Sequence, residues 1–338
     1  MALLAAPTLA QDLDRSLDNA HGDAIHAVAI SHDGLSIVTA GADNRAALWS
    51  AQDGKKSKIL SHSGAVNATD FNANDQYFVT AGADKRLLVF DAQEGKPKKL
   101  LRYHTDAVLA AAFSPIGNQL VSGGKDNLAI IWNTSTGKYA NLLKGHEGAV
   151  TSVAYSPNGE QVVTGSADKT VRIWNAQNGL LIKTIEADPK GVLAVAYSTD
   201  GRFLASTGGS GKVLLHNAES GAVLAEFSKH KGAVNTLSFS PDVQYLASGG
   251  ADAKVIIWNL ETRNMVNAVT AHNKGVNSVA FDDKGSRFVS VGNDGSLKIW
   301  DVRKLNIGKK KFSKDNEAPE LACTSLSLHD KNGNGMIE

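Results

Sequence analysis

The 338-residue sequence predicts an all-β fold, namely a seven-bladed β-propeller of four-stranded antiparallel blades. Two series of residues repeat along the chain with nearly one period. The first series, with spacings of 41, 42, 42, 84 and 42 residues, comprises His21, His62, His104, His146, His230 and His272. The second series, with one spacing of 41 residues and five of 42, comprises Trp49, Phe90, Trp132, Trp174, His216, Trp258 and Trp300. Seven units of nearly equal length therefore fill residues 21–314.

Each unit has room for four short strands and for no helix. In unit four, the first two strands are predicted at VTSVAYS and EQVVTGS, which are rich in β-branched and apolar residues. The third and fourth strands are predicted at TVRIWN and LLIKTIE, and the stretches SPNG and SADK read as turns. One such sheet cannot bury both of its faces, but seven sheets in a ring cover one another.

The repeated His, the Asp before the third strand and the Trp that ends it resemble the WD-repeat (tryptophan–aspartate repeat) β-propeller family. The resemblance covers residues 21–314 and recurs seven times. It implies a four-member hydrogen-bond chain within each blade. The matching residues are His21, Thr39, Asp43 and Trp49; His62, Thr80 and Asp84, followed by Phe90; His104, Ser122, Asp126 and Trp132; His146, Thr164, Asp168 and Trp174; His230, Ser248, Asp252 and Trp258; and His272, Ser290, Asp294 and Trp300.

Unit five departs furthest from this pattern, because it carries Asp188, Ser206, Ser210 and His216 at the four positions. We therefore predict that its blade is the most weakly fixed. A Ser/Thr, His and Asp set also invites a catalytic interpretation, but an enzyme needs one such site and the chain has six in one register. The repetition favours a structural role, and we expect no catalytic residue.

The resemblance also implies an interaction platform around one end of the central channel. The matching positions lie three and five residues after each repeat His and one before each turn Asp. The polar or charged candidates for partner binding are His26, Asn67, Lys125, Asn235, Asn277 and Asn293. No aromatic residue and no Arg stands at any of these positions, although binding hot spots favour such residues. We call this end the smooth face, and we expect it to bind with modest affinity or the partner to bind elsewhere.

The predicted outer strands of units seven, one and two carry 13 basic residues against four acidic ones, although the formal net charge of the whole chain is only +1. The densest run is Lys309, Lys310 and Lys311. This basic sector predicts docking to an acidic protein or another anionic surface. The alternative is that these lysines block edge-to-edge aggregation of exposed strands. Nucleic acid is disfavoured because aromatic residues are not interleaved with the lysines.

The N-terminal segment 1–20 has two interpretations. MALLAAPTLA followed by QDLD resembles the end of a bacterial secretory signal, although no positive charge precedes the apolar run. This favours an exported or periplasmic protein from a bacterium over a cytoplasmic one. Alternatively, residues 9–17 supply the outer strand that closes the ring against unit seven. The single cysteine, Cys323, excludes an internal disulfide framework, and no apolar run is long enough to cross a bilayer.

The tail at residues 315–338 also has two interpretations. DKNGNGMIE resembles the start of an EF-hand calcium loop, with its candidate ligands at Asp330, Asn332, Asn334 and Glu338. The bidentate ligand of the twelfth position is missing, so we expect poor binding of Ca²⁺ and no other cofactor. Alternatively, the tail begins an unfinished eighth unit.

From these observations we predict a non-catalytic scaffold that presents a propeller face or its basic outer edge to a protein partner, and we assume a monomer. One alternative is a propeller module of a larger periplasmic protein, with a calcium-binding or redox domain beyond the C-terminus. Another is an enzyme that uses the central channel. The second alternative is disfavoured because the residues expected at the channel are mostly Ala, Gly and Asn.

Overall fold

The computed structural model describes residues 13–305, in which every regular element except one short 3₁₀ helix is a strand. The strands are β1 (Leu13–Leu17), β2 (Ile25–Ile30), β3 (Ser36–Gly41), β4 (Arg45–Ser50), β5 (Lys56–Ser61), β6 (Val66–Phe71), β7 (Tyr77–Gly82), β8 (Arg86–Asp91), β9 (Pro97–Arg102), β10 (Val108–Phe113), β11 (Gln119–Gly124), β12 (Ala129–Asn133), β13 (Lys138–Leu143), β14 (Val150–Tyr155), β15 (Gln161–Ser166), β16 (Thr170–Asn175), β17 (Leu181–Glu186), β18 (Val192–Tyr197), β19 (Phe203–Gly208), β20 (Val213–Asn217), β21 (Val223–Phe227), β22 (Val234–Phe239), β23 (Tyr245–Gly250), β24 (Lys254–Asn259), β25 (Asn264–Thr270), β26 (Val276–Phe281), β27 (Arg287–Gly292) and β28 (Leu297–Asp301). The 3₁₀ helix follows at Val302–Leu305.

These strands form seven antiparallel sheets of four strands each, which confirms the predicted seven-bladed β-propeller. Blade one contains β2 to β5, and blades two to six follow in the same order up to β25. In each of these blades the strands pair in the order of the sequence, from the inner strand at the channel to the outer strand at the rim. Blade seven consists of β26, β27 and β28, and its outer strand is β1.

The outer strand of blade seven comes from the opposite end of the described chain. β1 pairs with β28 in an antiparallel register that places Leu13 opposite Trp300 and Leu17 opposite Leu297. The structure therefore places residues 13–17 in the ring-closing position, which was one of the two interpretations of the N-terminal segment. The apolar part of the signal-like sequence lies outside the described residues. β1 lies near the start of the described residues and β28 near their end, so the pairing of these two strands closes the ring.

The core consists of apolar layers between neighbouring blades. The layer between blades seven and one contains Ile25 and Ile37 from blade one and Val289 and Ile299 from blade seven, all at most 2% exposed. Six further layers of the same kind join the other neighbours around the ring. Burying one side chain of this size contributes about 1.5–3 kcal/mol. Each blade therefore depends on both of its neighbours for stability.

The second and third strands of the blades are the most deeply buried, whereas the outer strands are largely exposed. β15 is buried at five of its six residues, but β5 and β9 are each buried at only one. Among residues 13–305, no helix is long and apolar enough to span a membrane.

Candidate interaction surfaces

The repeated polar residues of blade four form a closed hydrogen-bond chain between its strands. His146 donates from Nδ1 to the Asp168 carboxylate at 2.7 Å. The Thr164 hydroxyl lies 2.6 Å from Nε2 of the same ring, and Trp174 donates from Nε1 to Thr164 Oγ1 at 2.9 Å. The ring of His146 is therefore neutral, with its proton on Nδ1, and accepts the hydroxyl proton at Nε2. Thr164 is fully buried and joins both aromatic side chains.

The same chain recurs in blades one, three, six and seven. In these blades the His to Asp distance is 2.9 Å, the His to Ser or Thr distance is 2.8 Å, and the Trp to hydroxyl distance is 2.8–2.9 Å. In blade two, His62 bonds to Asp84 at 3.0 Å and to Thr80 at 2.7 Å. Phe90 replaces the tryptophan there and stacks on Phe78, with 5.3 Å between ring centroids.

In blade three a glycine gives the histidine its space. A Cβ atom at Gly124 would lie 2.7 Å from His104 Nδ1 and 2.7 Å from Asp126 Oδ1. Any side chain at this position would therefore displace the pair that fixes the turn before β12.

The electrostatics of the chains agree with neutral rings and ionised carboxylates. Burial lowers the pKa of His146, and it outweighs the opposing effect of Asp168. Burial alone would raise the pKa of Asp168, but hydrogen bonds from Thr170, His146 and the backbone lower it to about 2. These side chains bind one another inside the blade, so the arrangement can hold the turn in place but exposes no nucleophile.

Blade five lacks both the histidine and the tryptophan of this pattern. The Asp188 carboxylate occupies the histidine position and accepts a hydrogen bond from the Ser210 hydroxyl. His216 is fully buried at the tryptophan position, and its Nε2 lies 2.8 Å from Ser206 Oγ. The four residues therefore form two separate pairs, and no side chain joins Asp188 to Ser206.

Several candidate residues of the smooth face bridge neighbouring blades. Asn67 and Asn235 donate to the carbonyl groups of Val108 and Val276 at 2.8 Å, each in the next blade. Asn277 reaches across the ring closure to the Ile25 carbonyl at 2.9 Å. His26 approaches the Val66 carbonyl at 3.1 Å through Nδ1. The inner strand is the free edge of each sheet, so these bonds satisfy backbone groups that would otherwise be unpaired.

The other two candidates of the smooth face are exposed. Lys125 lies at the turn before β12, and Asn293 lies at the equivalent turn of blade seven. Asn293 accepts a hydrogen bond from Asn277 at 2.7 Å. Of the six candidates, four are thus engaged in holding adjacent blades together and two remain at the surface.

The opposite end of the channel carries titratable side chains that the repeat pattern did not predict. A cavity of about 490 Å³ there is lined by residues from all seven blades, including Asp70, Phe113, Tyr197 and Asp283. Asp70 accepts a hydrogen bond from the Phe113 backbone at 2.7 Å, and burial raises its pKa to about 6. The sequence does mark Asp70 as unusual, because the other six units have a small side chain at its position. The equivalent residues are Ala29, Ala112, Ala154, Ala196, Ser238 and Ala280.

Beside this cavity, His32 joins blades one and two. Its Nδ1 lies 2.9 Å from the Asp75 carboxylate, which also accepts the backbone N–H groups of His32 and Asp33. Burial alone would lower the pKa of His32, but the hydrogen bond to Asp75 and the nearby carboxylates raise it. Blades two and seven thus place the carboxylates of Asp70, Asp75 and Asp283 around this histidine of blade one at the mouth of the channel.

Comparison with known families agrees with this architecture. A family profile described as the WDHD1 first WD40 domain matches residues 18–274, which is most of the chain. The chain belongs to the WD40 repeat family. A second profile, described as WD domain, G-beta repeat, matches residues 263–301. No curated protein matches the chain. The WD40 propeller is generally a protein-interaction scaffold and is typically non-catalytic.

The rim of this WD40 propeller carries cations on the outer strands of blades one and two. Lys55, Lys96 and Lys98 form ion pairs with the neighbouring acids Asp53, Glu94 and Asp91 at 3.1–3.4 Å. Lys56 donates to the Ala20 carbonyl at 2.8 Å and lies 4.6 Å from the centre of the Trp49 ring. The predicted excess of charge is therefore partly neutralised within the rim itself.

Three cations of the two outer strands, namely Lys58, Lys99 and Arg102, have neither a carboxylate within 4.0 Å nor a side-chain hydrogen bond among residues 13–305, whereas Lys56 is held by the Ala20 carbonyl. All three are exposed. The Lys58 stem packs beside Gly95 in the next blade, and the Lys99 stem packs beside Gly137 in the blade after that. Their charged ends extend from the grooves between blades. The predicted run Lys309, Lys310 and Lys311 lies outside the described residues.

The outer strands of blades three to six of this WD40 propeller carry exposed apolar side chains. The second position of β13 and the first positions of β17 and β21 carry Tyr139, Leu181 and Val223, which are 49%, 46% and 54% exposed. Met265 holds the equivalent place on β25.

Among the residues that the structure describes, no group of three or more His, Cys, Asp or Glu side chains is arranged to hold a metal ion. The candidate calcium ligands Asp330, Asn332, Asn334 and Glu338 lie outside that part of the chain.

Proposed function

We propose that this protein is a non-catalytic scaffold that holds an acidic protein partner on its basic outer edge. We define the basic outer edge as the exposed side chains of Lys58, Lys99 and Arg102. The run Lys309, Lys310 and Lys311 stays a separate prediction from the sequence. The supporting observation is that the acids of the same stretch are paired with other lysines. The charge of the three side chains of the edge is therefore available to a partner.

The competing surface is the smooth face, and the contacts there favour the edge. Four of the six polar candidates on that face already bond to the backbone or to a side chain within the ring. A partner that recruited them would break bonds between blades. A partner on the basic outer edge would break none of these bonds, and it would gain from the concentration of like charge on adjacent strands.

The experiment is capture of acidic partners from lysate and from periplasmic extract, followed by affinity measurement with the purified partner. The edge variant combines Lys58→Glu, Lys99→Glu and Arg102→Glu. The matched control combines Lys229→Glu, Lys231→Glu and Lys274→Glu, which are exposed lysines of the smooth-face loops and produce the same change in net charge. If each lost or reversed contact is worth up to 1 kcal/mol, the edge variant should bind on the order of 100-fold more weakly.

Binding to the wild type should also weaken steeply with added salt, because exposed charges are screened within about 10 Å at 0.1 M ionic strength. Equal loss of binding in both variants would indicate an effect of net charge only. Loss in the control variant alone would move the site to the smooth face. Either result would contradict docking on the basic outer edge. The compartment of the captured partner also tests the proposed export of the chain.

A further inference from the structure

Blade five contains a cavity beside Asp188, which stands at the position of the repeat histidine of the other six blades. Its volume is about 120 Å³, and it is lined by Asp188, Ser206, Ser210, Lys212 and Glu226 among others. Lys212 and Glu226 are exposed, whereas Asp188 and Ser206 are 3% and 1% exposed. The cavity therefore runs from the surface down to the hydroxyl of Ser206.

The equivalent cavity of blade one shows what is missing. That cavity is lined by His21 and Asp43 at its inner end, and Thr39 is not part of its wall. The ring of His21 stands between the surface and Thr39, because it spans from Asp43 at 2.9 Å to Thr39 at 2.8 Å. In blade five, where the shorter Asp188 replaces the histidine, Ser206 is part of the cavity wall.

The hydrogen bonds of blade five define what could enter. Burial lowers the pKa of His216, so its ring is neutral. Its Nδ1 faces the Gly221 carbonyl at 3.4 Å, so Nε2 accepts the proton of the Ser206 hydroxyl. In the blades with tryptophan, the indole N–H donates to this hydroxyl. No described residue donates to Ser206 Oγ, so its lone pairs are available.

The second group at the inner end is also an acceptor. Asp188 accepts from the Ser210 hydroxyl and from the backbone N–H groups of Lys190 and Ser210. In the other blades the histidine lies between an acceptor, the Asp carboxylate, and a donor, the Ser or Thr hydroxyl. In blade five the carboxylate of Asp188 and Ser206 Oγ are both acceptors, so a group that binds between them must donate on two sides.

We propose that the blade-five cavity binds a planar nitrogen cation with N–H donors on two sides, namely a guanidinium or an imidazolium group. One N–H of the cation would donate to the Asp188 carboxylate and another to Ser206 Oγ. The carboxylate supplies the opposite charge, since charge-assisted hydrogen bonds are stronger than neutral ones. The cation could be a free small molecule or the side chain of an arginine on a partner.

The test uses the full chain with methylguanidinium and with imidazole, and measures saturable binding by NMR titration and by the shift in Tm. Methylguanidinium should bind equally at pH 6 and pH 8. Imidazole should bind at pH 6, where it is mostly protonated, and at least tenfold more weakly at pH 8. Equal binding of imidazole at both values would overturn the requirement for a donor at both ends.

Three variants locate the site. Asp188→Asn keeps the shape and removes the charge, and it should weaken methylguanidinium binding at least tenfold. The double variant Asp188→His with Ser210→Asp restores the His and Asp of the other blades, narrows the cavity and should abolish binding. Asp106→Asn, at an exposed acid in blade three, should change nothing. Absence of saturable binding to the folded wild type, or binding unaffected by Asp188→Asn, would overturn the proposal.

A final comparison separates the two sources of the cation. A capped tripeptide with a central arginine should bind if the cavity takes the side chain of a partner, and its lysine analogue should not, because ammonium is not planar. Binding of methylguanidinium without the arginine peptide would assign the cavity to a free small cation. Equal binding of the arginine and lysine peptides would contradict the planar geometry.

Discussion

Replacement of Thr164 by valine tests whether the repeated polar residues stabilise each blade by joining its own strands. The substitution preserves the branched shape of the side chain and removes only the hydroxyl group. Thr164 is fully buried, and its Oγ1 lies 2.6 Å from His146 Nε2 and 2.9 Å from Trp174 Nε1. Thr164→Val would leave both of these nitrogen atoms buried without a partner.

The expected cost follows from those two groups. Leaving one buried donor or acceptor unsatisfied costs about 1–3 kcal/mol. Two such groups give a loss of about 2–5 kcal/mol in the free energy of unfolding, minus a small gain from the added methyl group. This is a large effect for one substitution that changes neither volume nor backbone.

The assay is equilibrium unfolding in urea, followed by tryptophan fluorescence and by far-UV circular dichroism. The control is Thr184→Val on the exposed outer strand β17, which should change the free energy of unfolding by less than about 0.5 kcal/mol. If Thr164→Val also remained within about 0.5 kcal/mol of the wild type, the hydrogen-bond chain would not be a structural element of the blade.

The other predictions concern pH and single residues. Folded-state pKa values are lowered for His21, His62, His104, His146, His216 and His272. As pH falls below about 6.5 the unfolded chain therefore takes up protons first, and the free energy of unfolding should fall by at most about 1.4 kcal/mol per pH unit for each such histidine. Stability constant between pH 7.5 and 5.5 would refute this. Asp70 has a raised pKa, so its ionisation removes stability as pH rises through about 4 to 6. Asp70→Asn should therefore raise Tm at pH 8 and not at pH 4, and an equal Tm at pH 8 would contradict a buried charge. Phe90→Trp should add an N–H donor to Thr80 and raise the free energy of unfolding, measured in urea, by about 1 kcal/mol. A lower free energy of unfolding would contradict this and would indicate crowding by the larger ring.

The periodic features of the fold could be predicted because they repeat. A spacing of 42 residues between His104 and His146 reports the length of a blade, and the strand pattern inside unit four indicates four short strands. Seven repetitions average out local exceptions such as Phe90. The sequence left open whether residues 9–17 form the ring-closing strand or belong to a signal, because LDRSL has little β-propensity of its own and forms a strand by pairing with β28.

The contacts between blades could not be predicted in the same way. Counting positions shows that Asn67 and Asn277 are equivalent, but it does not show that each faces an unpaired carbonyl of the next sheet. The bond between His32 and Asp75 depends on how two turns approach each other, which neither turn sequence shows by itself. Asp70 was visible only as a departure from alanine and serine at its position. In each case the missing information was the geometry between neighbouring sheets.

The central claim is that the basic outer edge, and not a face of the ring, receives the partner. Hydrogen–deuterium exchange of the full chain, with and without the captured acidic partner, tests it most directly. The account predicts slower exchange of the exposed outer strands β5 and β9 in the complex, with unchanged exchange in the loops of the smooth face that carry Lys125 and Asn293. Protection confined to those loops, with β5 and β9 unaffected, would contradict the account.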